Sequence, residues 1–146
     1  MRSNDREPLT GPVENREGTT FTGPVWGEVL LPFEENVSVN RITFAAGSRT
    51  SWHRHEGGQI LLGQAGAGLV VTRDGEVSAI GDGVVVHGAA GEEHWHGALP
   101  GSFMTHVSVV MGGRTHWGDE VTAEEYEQAV QQLTSDSAQA SRRPGT

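Results

Sequence analysis

The sequence predicts an all-β domain carrying one short C-terminal helix, and three observations point there. The chain holds 21 glycines and six prolines against 35% hydrophobic residues, a balance that suits short strands and tight turns better than long helices. From Phe21 onward, β-branched and aromatic residues come in short runs, each ended by glycine, proline or asparagine. Only near the C-terminus does the apolar period switch to that of a helix. At 146 residues the chain is long enough for one domain with a sizeable core.

Taken in order, residues 1–20 are polar, charged and broken by Pro8, Gly11, Pro12 and Gly18. Such a stretch buries too little to offset the entropy of ordering, so it reads as a flexible arm. The strand segments follow: PVWGEVLLPF, NVSVNRITFAAG, QILLGQAGAGLVVT, EVSAIGDGVVVHG and FMTHVSVVMG. Within VVTRDGEVSAI, Asp74-Gly75 predicts a type I′ hairpin turn. Thr122 and Glu125 then form a T-x-x-E capping box flanked by a Val121–Tyr126 staple, opening a helix over about 123–134. Tyr126, Ala129, Val130 and Leu133 share one face of it, and so short a helix must dock on the sheet. Residues 135–146 read as a disordered tail. The body, residues 21–134, is then a barrel or sandwich plus one helix.

Charge and composition exclude several functions. A net charge of −9 with ten Lys plus Arg would repel a phosphate backbone, so nucleic acid is not an expected partner. No run of 18 apolar residues appears, and the first 20 residues carry charges where a signal peptide carries its apolar segment. The expectation is a soluble cytoplasmic protein without membrane association. With no cysteine, any metal must be held by nitrogen and oxygen, which directs attention to the seven histidines.

On a strand, His53 and His55 project to one face while Trp52 and Arg54 project to the other. The pattern returns at EEHWHG, where His94 and His96 share a face, and at FMTHVSV, where Met104, His106 and Ser108 do. A single strand histidine is more often a hydrogen-bonded residue than a ligand. Two H-x-H pairs and a histidine ten residues later are poorly explained by coincidence, so His53, His55 and His94 are candidate metal ligands. Gln59 is the fourth candidate: the Glu56-Gly57-Gly58 turn can bring its amide oxygen back to the imidazoles, whereas Glu56 falls on the opposite face. Trp52 and Trp95 are expected to pack, and His87 and His116 to lie at the surface or at strand ends. Phe44, Leu62, Gln64, Val86 and Met104 are candidate cavity-lining residues.

These residues resemble the cupin pattern, that of small jelly-roll β-barrels holding a metal. The motif G-x5-H-x-H-x3,4-E-x6-G is met by Gly47, His53, His55, Gln59 and Gly66, with glutamine where most members carry glutamate. GVVVHGAAGEEH resembles the second motif through Gly83, Gly91 and His94, with Val84 and Ala90 departing from the usual aspartate and proline. GSRTSWHRHEGGQILL, GEEHWHGALPGSFMTHVSV and VTAEEYEQ look most like the single-domain bacterial cupins that include manganese-dependent hydroxynitrile lyases. The resemblance implies metal ligands at His53, His55, Gln59 and His94, with His96 and His106 near the reacting molecule.

Three imidazoles and an amide leave a divalent ion's charge uncompensated, which favours Lewis-acid chemistry. Imidazole and amide ligands suit manganese, iron, cobalt, nickel and zinc alike, and it is the resemblance that implies manganese. His96 and His106 are candidate acid/base catalysts near neutral pH. The expected activity is a lyase acting on a small carbonyl or hydroxyl compound. An iron or nickel dioxygenase, a metal-dependent isomerase or polyketide-type cyclase, and a non-catalytic metal-binding cupin are the alternatives. A small molecule is the expected partner, and edge strands offer a route to a homo-oligomer such as a homodimer.

Overall fold

The computed structural model describes residues 13–14 and 20–142. Its strands are β1 (Val13–Glu14), β2 (Phe21–Thr22), β3 (Val25–Glu34), β4 (Val37–Phe44), β5 (Arg49–Thr50), β6 (His53–His55), β7 (Gln59–Thr72), β8 (Val77–Gly81), β9 (Val85–Gly88), β10 (His94–Ala98), β11 (Met104–Met111) and β12 (Thr115–Trp117). One helix, α1 (Ala123–Arg142), follows. The strands close into a nearly complete antiparallel barrel. Most of the arm expected over residues 1–20 lies outside the described residues, although β1 pairs with β3.

The 14-residue β7 organises the barrel. Its first half pairs with β11 and β9, and its second half with β10 and β8. A bulge falls where Thr105 faces Ala65 but His106 faces Gly63, so Gln64 is the extra residue. Side chains alternate through this strand, burying Gln59 and Leu61 and exposing Leu62 and Gln64. Leu62 and Gln64, candidates for the cavity wall, therefore face outward, and Gln64 accepts a hydrogen bond from Arg41. Phe44 and Met104 are fully buried inside the barrel with Leu61, Val70 and Ile80, and Val86 packs against them.

One turn departs from the sequence expectation, and another was not foreseen by it. Gly75 N–H bonds the Thr72 carbonyl, and only Gly75 of the Asp74-Gly75 pair has positive φ, at 92°. That is a type I turn followed by a left-handed glycine, a three-residue loop rather than the two-residue type I′ turn. Positive φ at two successive residues occurs instead at Glu35 (53°) and Asn36 (62°), which join β3 to β4. Asn tolerates that conformation better than most residues, and the signal is weaker than Asn-Gly.

The helix opens as its capping box dictates. Thr122 N–H donates to Glu125 Oε1 and Glu125 N–H to Thr122 Oγ1, both at 3.1 Å. Val121, Tyr126 and Ala129 pack with Trp52, Leu69, Val71 and Trp95, a second core between helix and barrel. Tyr126 O–H donates to the Ala98 carbonyl at 2.7 Å and Trp52 Nε1–H to Glu125 at 3.1 Å. The helix runs to Arg142, through residues expected to form a disordered tail. Once a docked first turn supplies the nucleus, extension over QLTSDSAQAS costs little, and the proline that would stop it comes only at position 144.

Candidate metal centre

The H-x-H pair sits on β6, clamped between β10 and β12. His53 and His55 are buried and Arg54 between them is exposed, the alternation expected of a strand. Gly57 lets the chain turn here: a Cβ on it would lie 2.5 Å from Gly112 N, so the end of β11 can cross the turn closely. That crossing delivers β12 to β6, with Thr115 opposite His55 and Trp117 opposite His53. On the other side His94, the first residue of β10, pairs with His53.

Second partners orient the rings. His53 Nδ1–H donates to the Ser51 carbonyl at 2.9 Å and His94 Nδ1–H to the Glu92 carbonyl at 3.0 Å. Each ring is thereby held in the tautomer whose Nε2 lone pair is free. His55 Nδ1 lies 3.0 Å from Thr115 Oγ1, leaving Nε2 buried without a partner. Gln59 donates from its amide nitrogen to Ser108 Oγ at 2.7 Å, and its Oε1 lies 2.9 Å from His94 Nε2. That spacing sets one lone pair against another. A cation shared by both acceptors removes the conflict, so the donor set fits a bound metal ion.

Among the described residues, the ligand atoms of His53, His94 and His96 lie within 4.8 Å of one another and form a buried group able to hold a metal. The expected ligand set shares His53 and His94 with this group. The His55 ring lies 5.0 Å from that of His53 and 5.6 Å from that of His94. Sequence reasoning assigned His96 to proton transfer, whereas the structure puts it within this group, its ring 5.2 Å from that of His53 and 5.7 Å from that of His94, and leaves His55 outside it. The Nε2 of His96 is buried without a partner, while its Nδ1 lies 3.0 Å from His106 Nε2. His106 is 0% exposed, and its outer Nδ1 also lacks a partner.

Burial dominates the electrostatics. It lowers His55 and His106 to pKa values of about 4. Burial, followed by repulsion from neighbouring rings, takes His53 and His96 well below the usual imidazole range. Burial also lowers His94, against its bond to Glu92. All five imidazoles are thus neutral at pH 7, the state in which imidazole binds metal or accepts a proton.

Trp52 and Trp95 pack in the second core, as expected. His87 is exposed on β9. His116 pairs with Glu56 at 2.8 Å on the surface, which takes Glu56 away from the imidazoles. A cavity borders Gln59 and His94, walled by Leu61, Val70 and Val86 and rimmed by Thr72 and Ser78. Thr115 and Trp117 escaped sequence reasoning. Their segment RTHWG alternates too briefly to announce a strand, and nothing local says that it pairs with β6.

No protein-family model matches the chain. It is 37% identical over 119 residues to the (R)-mandelonitrile lyase of Granulicella tundricola, an alignment covering 80% of this chain and 88% of that protein. Its fold matches that of a cupin-like protein of Thermotoga maritima with a TM-score of 0.77 and 32% identity, over 84% of this chain and 97% of that one. A polyketide cyclase of Streptomyces resistomycificus shares the fold at a TM-score of 0.58 and 17% identity, over 75% and 83% of the two chains. Barrel, histidine pattern and relatives agree: the chain belongs to the cupin family, as a single-domain member.

Proposed function

We propose that the protein is a metal-dependent lyase that cleaves or forms the carbon–carbon bond of a cyanohydrin. The observation that carries this reading is the His96–His106 pair, buried beside the ligand cluster. The relative's name, a mandelonitrile lyase, supports the reaction class. His53, His55, Gln59 and His94 are assigned as ligands, with manganese the proposed ion. When bound, a divalent ion supplies Lewis acidity toward a substrate oxygen and stabilises negative charge.

Cleavage requires a base for the substrate hydroxyl and an acid for the departing cyanide. The C–C electron pair leaves with cyanide, the hydroxyl oxygen becomes the carbonyl oxygen, and one proton moves from oxygen to cyanide. A neutral pair of imidazoles joined by one hydrogen bond supplies both functions. If His96 donates to His106, the free lone pair is His96 Nε2 and the free N–H is His106 Nδ1; in the other tautomer these roles exchange. A proton accepted at one end therefore releases another at the far end. Burial keeps both rings neutral at pH 7, which leaves one end's lone pair free to accept a proton, though it also makes each ring a weaker base than the near-neutral imidazole the sequence suggests.

Anaerobic assay of mandelonitrile cleavage, with metal content measured on the same preparation, tests the reading. Turnover without oxygen, abolished by chelation and restored by manganese, is expected. His106→Ala should keep its metal and lose about 10²- to 10⁴-fold in rate. His96→Ala decides between ligand and acid/base: lost metal makes it a ligand, retained metal with lost rate makes it a proton carrier. Full turnover by both variants would refute the assignment.

A further inference from the structure

Five rings form a closed circuit at one side of the centre. Trp117 lies 4.7 Å from His53, His53 lies 5.2 Å from His96, and His96 lies 5.7 Å from Phe44. Phe44 lies 6.1 Å from Phe21, and Phe21 returns to Trp117 at 6.0 Å. Four of the five steps are edge-to-face, the arrangement in which ring edges meet π faces, and the Trp117–His53 step is tilted by 35°. Three members are almost fully buried, whereas Trp117 is 44% exposed directly over a His53 that is 2% exposed.

The two outer rings stand on short strands at the margins of the sheet. Phe21 belongs to the two-residue β2, which pairs with β5, and Trp117 to the three-residue β12, which pairs with β6. Short terminal strands open more readily than the central strands that carry Phe44 and His96. The circuit therefore has a buried inner side, at His53, His96 and Phe44, and an outer side on margin strands that reaches solvent at Trp117.

We infer that Phe21 and Trp117 form an aromatic mouth that admits and selects substrates carrying an aryl group. This rests on the proposed lyase reading for the reaction, but the selection itself needs no turnover. An aryl ring displacing the Phe21–Trp117 contact finds edges and faces already arranged to receive it, with Phe44 behind and His96 adjoining. A saturated ring of similar size has no π face to offer those edges. Each aromatic contact of this kind is worth roughly a 2- to 10-fold difference in affinity.

Ligand-observed NMR on the metal-containing protein as purified, with benzyl alcohol and cyclohexylmethanol as inert probes, tests this. Wild type should bind the aryl probe several-fold more tightly. Trp117→Leu and Phe21→Leu, each checked for an unchanged melting transition, should each bring that ratio toward one. Leu62→Ala on the outer barrel face should leave it unchanged. Equal binding of the two probes by wild type, or a ratio preserved in Trp117→Leu, overturns the inference. Because both probes are unreactive, a protein without lyase activity but with a Trp117-dependent ratio loses the reaction assignment alone.

Discussion

Acidifying the metal-free protein should unfold it through its histidines. The perturbation is a shift from pH 7 to pH 5 after chelation, and the magnitude follows from two rings held at about pKa 4 against an ordinary 6.5. Their folded pKa values lie below the unfolded ones, so the unfolded chain binds more protons throughout this window, and stability falls as pH falls. The loss begins near 6.5 and is complete only below about 4. By pH 5, His55 and His106 should each have cost about 2 kcal/mol relative to pH 7. His53, His94 and His96 are shifted in the same direction and add to the loss. Set against a typical stability of about 5–15 kcal/mol, two such groups alone remove a large part of it. Urea unfolding at pH 7, 6 and 5 measures the slope, and His106→Phe should flatten it by about one proton. Equal unfolding free energies at pH 7 and pH 5 would refute the claim that these imidazoles are buried neutral. Metal-loaded protein should resist to lower pH, because binding stabilises the deprotonated rings.

Replacing Thr115 by Val removes the partner of His55 Nδ1 while keeping the strand, and chelator competition should show about a 10- to 100-fold loss of metal affinity. Gln59→Glu places a carboxylate where Oε1 now faces His94 Nε2, so metal affinity should rise and anaerobic lyase turnover should fall, read on the same samples. Thr122→Ala deletes one half of the capping box and should lower stability by about 1 kcal/mol in thermal unfolding. Glu125→Ala should cost more, because it also strands Trp52 Nε1 beneath the helix.

The barrel's strands and the start of the helix were legible because they rest on local signals: period-2 alternation, turn residues and a reciprocal cap. The hairpin at Asp74-Gly75 was located correctly and typed wrongly. Asp-Gly favours two successive positive φ angles, yet only Gly75 adopts one, so the loop spans three residues. The helix end at 134 was missed because the residues beyond it lack an apolar face, while a docked first turn lets a polar continuation persist.

The candidate site divides along a similar line. H-x-H spacing determines that two imidazoles share a strand face, and the sequence by itself therefore supplied His53 with His55 and His94 with His96. It also singled out Gln59 and His106, which β7 and β11 indeed turn inward. Only the tertiary structure decided how these rings meet: that the end of β11 crosses Gly57 and brings β12 to β6, setting Thr115 opposite His55 and Trp117 opposite His53, and that His96 joins the His53–His94 group while contacting His106. It also reversed Leu62 and Gln64, whose facing depends on which side of β7 Gln59 takes. The physical reason is range. Alternation along one strand is a local consequence of backbone geometry, whereas contacts between strands some 60 residues apart depend on barrel closure, register and the bulge at His106, none of which a local pattern encodes.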